Sequence, residues 1–371
     1  MDRRCPVSEV GRRTDRPDAR PHRPKRQTRP PDPVPPARRT GTVAAELRGA
    51  GHTADGGDAV TVSVVIPCYN RAHILGRAVE SALRQTVSPH EIIIVDDGSQ
   101  DNSAEVARQF GAPVRVICQE NAGAAAARNR GLAEATGEWI AFLDSDDEWA
   151  TDKLERQFAA AARFPAAQLV FCDTVVRSER EVLMESRFAL GGLYGAEIEQ
   201  DGEAALYDRS LFLPMLNQSR VITSAVMVRR TLPELRFPEH IWGSEDWALW
   251  LTLALRYPFA SVDAKLVTMH QQGDNISARK GRLYRNDVKV LEELAAEPLL
   301  TAAERSAVVA ELARRRVGAV YHSLIRGEGR EARGLLCEVS TTDMDWTRRR
   351  LYHVLSYFPT PVLRWLSRGR V

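Results

Sequence analysis

Between Val62 and Asp173, short apolar, β-branched runs alternate with stretches of helical period, and that alternation leaves few folds open. VSVVIP (62–67) reads as a buried strand. In the following segment Ile74, Leu75, Ala78, Val79, Ala82 and Leu83 fall on one helix face. EIIIVDDGS (91–99) is a second strand, followed by a helix through Phe110 capped by Asn102 or Ser103. VRVICQ (114–119) is a third strand, and 121–137 is a helix that opens on Asn and Gly and closes on Gly137. WIAFLDSDD (139–147) is a fourth strand running into acid, then a helix spans about Thr151 to Arg163 and QLVFCD (168–173) is a fifth strand. The pattern predicts right-handed crossovers and an α/β fold, a mostly parallel sheet with helices on both faces. Further on, 222–230 and 259–270 read as strands, 245–257 as a helix, and the chain beyond Arg282 as helical.

Composition narrows the class. At 44% apolar and 27% charged, the 371 residues are far too apolar for a disordered chain. No run approaches the roughly 18 apolar residues of a spanning helix, and the first residues hold Arg and Pro where a secretory signal needs an apolar stretch. The five cysteines lack zinc or redox spacing and read as reduced structural thiols, which predicts a cytoplasmic protein. Charge is uneven. Residues 1–50 hold 13 Lys and Arg, 6 Asp and Glu, and 9 of the 20 prolines, so 1–58 is read as a disordered basic tail. Such a tail is either an arm for nucleic acid or anionic lipid, or a solvated extension, or a product of a start assigned too far upstream. The rest of the chain carries a small net negative charge, which gives no support for a nucleic-acid partner.

Ligands of open parallel sheets bind beyond the carboxyl ends of the strands, where strand order reverses. Three predicted strands end there in polar residues: Pro67-Cys68-Tyr69-Asn70, Asp96-Asp97-Gly98-Ser99 and Asp144-Ser145-Asp146-Asp147. The first turn, CYNRAHILG (68–76), lacks the G-x-G-x-x-G of a dinucleotide site, which disfavours a hydride-transfer enzyme. Asp144 and Asp146, two apart on an extended segment, point the same way and suit Mg²⁺ or Mn²⁺ bridging to a diphosphate.

At this point VSVVIPCYNRAHIL, EIIIVDDGSQDNS, ENAGAAAARNRGLAEATGEWIAFLDSDDEW and GSEDWALWLTLA stand in the order and spacing of family-2 glycosyltransferases, and the chain resembles that family from about Val62 to Ser277. The resemblance implies the A-type nucleotide-diphospho-sugar transferase fold, an inverting metal-dependent reaction with Mn²⁺ or Mg²⁺, and a nucleotide-diphosphate sugar as donor. The division expected is a nucleotide-binding half at 59–173, an acceptor half at 174–280 shaped by the irregular 174–220 segment and, from the helical pattern alone, a helical extension at 281–371. Pro67, Tyr69, Asp96 and Asp97 look like nucleotide-binding positions, and one of the two aspartates would accept from the base. Arg128, Asn129 and Asp144 would lie near ribose or diphosphate. Asp146 resembles the direct metal ligand, with Asp144 beside it.

The resemblance assigns the catalytic base to Asp246, the second acid of the Glu245-Asp246 pair. An inverting transfer needs a base on the sugar face opposite the diphosphate, and amides at a helix start stabilise the anionic form. Glu245 and Trp242 are candidates for contact with acceptor or sugar, Trp242 by stacking on a ring, whereas Trp247 and Trp250 read as core. His270 ends a predicted strand where some relatives place a histidine near the metal; otherwise it is structural.

The chain departs from the family's processive synthases. Their Q-x-x-R-W is absent, and Arg364-Trp365 has Pro361 where Gln would stand, so a single addition is expected. The basic, aromatic end (348–371) either lies on an anionic membrane, where carbohydrate acceptors linked to lipid reside, or docks on the protein's own core. A nucleotidyltransferase and a non-catalytic sugar-binding module are the competing functions; the first usually carries a Gly-rich basic loop that is lacking after strand one.

Overall fold

The computed structural model describes residues 60–190, 193, 195–217, 221–271, 280–340 and 343–358. The 1–58 segment, the 272–279 stretch and the end beyond Phe358 lie outside the described residues.

The chain runs β1 (Val62–Cys68), α1 (Leu75–Leu83), β2 (Glu91–Asp96), α2 (Ser103–Arg108), β3 (Val114–Cys118), α3 (Ala124–Glu134), β4 (Trp139–Phe142), the short β5 (Glu148–Trp149) and α4 (Lys153–Arg163). Then follow β6 (Leu169–Arg177), β7 (Val182–Met184), β8 (Glu199–Asp201), β9 (Ala204–Tyr207), α5 (Phe212–Asn217), β10 (Met227–Arg229), α6 (Glu245–Ala254) and β11 (Phe259–His270). Helices α7 (Lys280–Ala295), α8 (Ala302–Arg326), α9 (Gly329–Glu338) and α10 (Trp346–Leu355) close the described chain.

β1 is buried at every residue because it lies between β2 and β4, parallel to both. β2 and β3 are laid outward on one side, and the chain then returns to the other side of β1 for β4. That reversal opens a crevice at the carboxyl ends of β1 and β4. Val64, Ile66, Ile92 and Ile94 share a buried cluster with residues of α1 and α4 on one face, and Val65, Ile93 and Val95 share another with residues of α3 and α6 on the opposite face. A Cβ on Gly131 would stand 2.3 Å from Val65 Cγ1, so glycine there lets α3 lie close on β1.

The sheet differs from simple alternation in its second half. β10 inserts antiparallel between β4 and β6, while β6 and β11 pair in parallel. The strand expected over 222–230 is only Met227–Arg229, because Thr223–Ala225 forms a 3₁₀ turn instead. The strand expected over 139–147 stops at Phe142, and the acids that follow occupy a turn closed by Asp147 N–H donating to the Asp144 carbonyl at 3.0 Å. The mostly parallel, helix-flanked α/β sheet with a helical C-terminal region is present.

The helical region joins the core of the sheet at its start. Val288, Leu291, Leu294, Val308 and Leu312 share one cluster with Trp247 and Trp250, whereas Val320, Leu324, Leu336 and Tyr352 form a smaller cluster of their own. No described helix is long and apolar enough to cross a membrane.

Candidate active site

The polar strand ends meet at the switch point. Asn70 takes the left-handed conformation (φ 53°), which asparagine tolerates, and its amide N–H donates to Ser99 Oγ while its side-chain oxygen accepts from Gln100 N–H. These bonds hold the loops after β1 and β2 edge to edge. Beyond them lies a cleft of about 780 Å³ whose walls include Pro67, Tyr69, Asp97, Arg128, Asp144, Asp146, Trp242, Glu245 and Asp246.

Asp97 and Asp96 have different surroundings. Asp97 Oδ1 accepts from Gln119 Nε2 (2.8 Å) and Ala122 N (2.9 Å), and among the described residues Oδ2 accepts from Gly123 N alone (2.8 Å). It thereby fixes the loop leading into α3 and lines the cleft, with one acceptor position left on Oδ2. Asp96 is not among the lining residues, and its Oδ2 accepts from Ser99 N at 3.3 Å.

Arg128 is the hub. Buried on α3, it donates from Nη2 to Asp144 Oδ1 (2.7 Å) and from Nη1 to Glu245 Oε1 (2.9 Å), and it lies 5.3 Å from the Phe237 ring. The two carboxylates push its guanidinium pKa further up against the opposing cost of burial, so it stays charged. Asn129, expected beside it at the nucleotide, is not a lining residue. Its amide donates to the Phe237 carbonyl and accepts from Phe237 N–H, both at 2.8 Å, so it anchors the loop leading to the second acid pair.

The acidic turn corrects the expectation that Asp144 and Asp146 sit on an extended segment. A turn rather than pleat alternation presents both to the cleft. Arg77 Nη2 donates to the Asp146 carbonyl at 2.7 Å. Asp147 is buried beneath; burial, then Asp146 and Asp144, hold its carboxyl well above the usual range. Ser224, a residue that sequence reasoning passed over, supports the turn from behind. Its Oγ accepts from Asp144 N (3.0 Å) and donates to Asp147 Oδ2 (2.6 Å). Its neighbour Thr223 donates to Asp246 Oδ2 at 3.1 Å. Their only trace in the sequence was a hydroxyl pair inside an apolar run.

Asp246 differs from the helix-start picture. Desolvation, and Glu245 next to it, raise its carboxyl to about 6, outweighing Arg128 and the Trp247 amide. It is still mostly ionised at neutral pH, but as a proton acceptor rather than a strongly stabilised anion. Glu245 is buried and bound on both oxygens, by Arg128 and by Gly243 N–H at 2.5 Å. Trp242 lines the cleft, while Trp247 and Trp250 are core, Trp250 packing on Phe142 and Phe237.

His270 lies off the cleft wall, where Met269 stands instead. Its Nε2 is 3.4 Å from Glu148 Oε2, and burial, then Arg77, lower its pKa. Among the described residues no group of three or more His, Cys, Asp or Glu is arranged to hold a metal ion. The turn brings three carboxylates to the cleft wall, Asp144, Asp146 and the more deeply buried Asp147. That set fits a hard cation completing its shell with phosphate oxygens and water, as Mg²⁺ commonly does.

The sequence model described as Glycosyl transferase family 2 matches residues 63–213. The Escherichia coli protein named UDP-Glc:alpha-D-GlcNAc-diphosphoundecaprenol beta-1,3-glucosyltransferase WfaP is 35% identical over 196 residues, covering 52% of this chain and 69% of that protein. The chain belongs to glycosyltransferase family 2. Solved structures agree on the fold. S. aureus TarS 1-349 in complex with UDP-GlcNAc superposes with a TM-score of 0.60 at 16% identity, over 84% of this chain and 92% of that one. The mannosyltransferase PcManGT of Pyrobaculum calidifontis, solved with GDP-Man and Mn²⁺, gives 0.51 at 18%, over 80% and 85%. This family-2 chain therefore has the A-type nucleotide-diphospho-sugar transferase fold. It spans about a third of the length of the Rickettsia glycosyltransferases it also matches, at 28–32% identity.

Proposed function

We propose that this family-2 glycosyltransferase moves a single sugar, with inversion, from a nucleotide-diphosphate sugar to an acceptor hydroxyl, in the synthesis of a cell-surface polysaccharide or glycoconjugate. One observation carries the reading: the acidic turn and the Glu245-Asp246 pair, about a hundred residues apart, face one cleft and are bridged by Arg128. On this reading residues 59–173 bind the nucleotide and 174–280 shape the acceptor side. Pro67 and Tyr69 flank the base, and Asp97, which lines the cleft where Asp96 does not, is the residue that reads it.

Asp146 and Asp144 are the residues that would hold Mn²⁺ or Mg²⁺, which offsets the charge building on the diphosphate when bound. Arg128 fixes Asp144 and Glu245 in place on either side of its guanidinium. As the acceptor oxygen attacks the anomeric carbon, its proton passes to Asp246, the bond from that carbon to the β-phosphate oxygen breaks, and the electron pair departs with the nucleoside diphosphate. Thr223 and the Trp247 amide each occupy one Asp246 oxygen and orient it, leaving acceptor capacity for that proton.

The test is release of nucleoside diphosphate when the protein is given UDP-, GDP- or TDP-sugars with Mn²⁺. Pyrophosphate instead identifies a nucleotidyltransferase, and binding without turnover a non-catalytic module. Asp146→Asn is expected to weaken Mn²⁺-dependent donor binding about ten-fold or more, read by metal titration; an unchanged titration removes Asp146 from the ligand set.

WfaP is named for an acceptor linked to diphosphoundecaprenol, and a lipid-linked acceptor suits one surface here. Helix α10 buries Tyr352 against the chain's own small core but turns Trp346, Leu351 and Val354 to solvent, continued by Tyr357 and Phe358. Trp346 is 62% and Tyr357 66% exposed, and Arg350 lies 3.7 Å from the Trp346 ring centre. Aromatic and aliphatic side chains interleaved with arginine match the headgroup zone of an anionic bilayer. The enzyme then works peripherally at the cytoplasmic face. Trp346→Ala with Tyr357→Ala is expected to reduce co-sedimentation with phosphatidylglycerol vesicles by about ten-fold, the loss of roughly 1.4 kcal/mol of buried apolar surface. Equal sedimentation of wild type and double variant would dismiss this surface.

A further inference from the structure

Helix α6 starts from Ser244, which stands at the N-cap position but makes no side-chain hydrogen bond to its own helix. A serine there ordinarily satisfies an orphan amide of the first turn. This one donates its hydroxyl to Asp287 Oδ1 on α7, at 2.7 Å. The other Asp287 oxygen accepts from Arg315 Nη1 on α8 at 2.6 Å, and Arg315 Nε donates to Glu311 at 2.6 Å. The same guanidinium stands 5.3 Å from the Trp247 ring. One residue before Asp287, the Asn286 amide donates to the Trp242 carbonyl. Two consecutive residues of α7 thus grip both ends of the 242–244 loop, and the next residues along are Glu245 and Asp246.

Plain adhesion between helices does not call for this arrangement. Burying charged groups carries a desolvation cost that their attraction offsets only with good geometry, and an apolar contact of similar volume holds helices together as well. What directed hydrogen bonds add is orientation, since each accepts only a narrow range of angle and distance. The cap hydroxyl is diverted from its own helix to serve that network.

Resting on the reading of Asp246 as the base, we infer that Ser244, Asn286, Asp287 and Arg315 are positioning residues for sugar transfer: the helical extension sets the first turn of α6. The catalytic cleft is therefore completed from outside the alternating α/β region, by side chains more than forty residues further along the chain.

The test uses the full chain with Ser244→Ala, Ser244→Thr and Asp287→Leu. Ser244→Ala is expected to lower kcat by about 10-fold or more, within the roughly 10²-fold that a small misplacement can cause, while donor KM changes less than about two-fold. Ser244→Thr, which keeps the hydroxyl, is expected to restore kcat. Amide hydrogen exchange, measured without substrate, is expected to show faster exchange at Trp247 and Ala248 in Ser244→Ala and Asp287→Leu, with β1 unchanged. Unaltered exchange at those amides in Ser244→Ala, or a lower Tm with kcat per folded molecule retained, overturns the inference. Because exchange is read without turnover, its outcome is independent of Asp246→Asn, which decides the base assignment alone.

Discussion

Asp246→Asn is expected to lower kcat by about 10²–10⁴-fold while the affinity for nucleotide stays within about two-fold, because the amide keeps the shape but cannot take the acceptor's proton. Thr223 and the Trp247 amide hold the side chain whether or not it carries charge. The pH dependence follows from the raised carboxyl, near 6. Only the ionised form accepts a proton, so wild-type kcat/KM is expected to fall about ten-fold per unit below pH 6 and to level off above it; in Asp246→Asn that acid limb disappears. Stability runs the other way. The folded state holds the Asp246 proton more tightly than the unfolded chain does, so this group's contribution is fully present below about pH 4 and is lost as pH rises through 6. Asp246→Asn is therefore expected to raise Tm at pH 8. A variant that loses nucleotide binding and turnover in parallel would remove Asp246 from the base role.

Arg128→Met is expected to destabilise the fold by about 3–5 kcal/mol, measured by chemical denaturation. Methionine preserves most of the buried volume against Phe237 but leaves two carboxylates, Asp144 and Glu245, facing each other without a counter-charge. Adding Glu245→Gln to Arg128→Met is expected to recover part of the loss, since the penalty belongs mostly to the stranded charge on a side chain only 8% exposed. Arg128→Lys is expected to fall short of wild type as well, because one ammonium cannot reproduce a fork that donates to both partners at 2.7–2.9 Å. Stability of Arg128→Met equal to wild type would mean the bridge is solvated rather than structural.

Much of the alternating region from Val62 to Asp173 was legible in the chain. β1, β2 and α1 follow directly from apolar periodicity, because strands buried on both faces must be continuous runs and a helix on a sheet must show one apolar face. The four ordered motifs led to the family, and the cleft gathers Pro67, Tyr69, Asp97, Arg128, Asp144, Asp146, Trp242, Glu245 and Asp246. Asn129 and His270 show the limit of local reading. Each stands in a suggestive place, yet Asn129 is bound to the Phe237 backbone and His270 lies beside Glu148.

By itself the sequence determined most strands and helices of the alternating region from Val62 to Asp173, and which acids follow them, since those properties depend on neighbours a few residues away. Tertiary structure alone decided how the acids behave. Asp246 titrates upward because Glu245 and burial act on it together, Asp147 sinks beneath its own turn onto Ser224, and Ser244 turns from its helix to Asp287. Solvent exclusion and hydrogen-bond partners from distant elements set those outcomes, and neither is encoded in local periodicity.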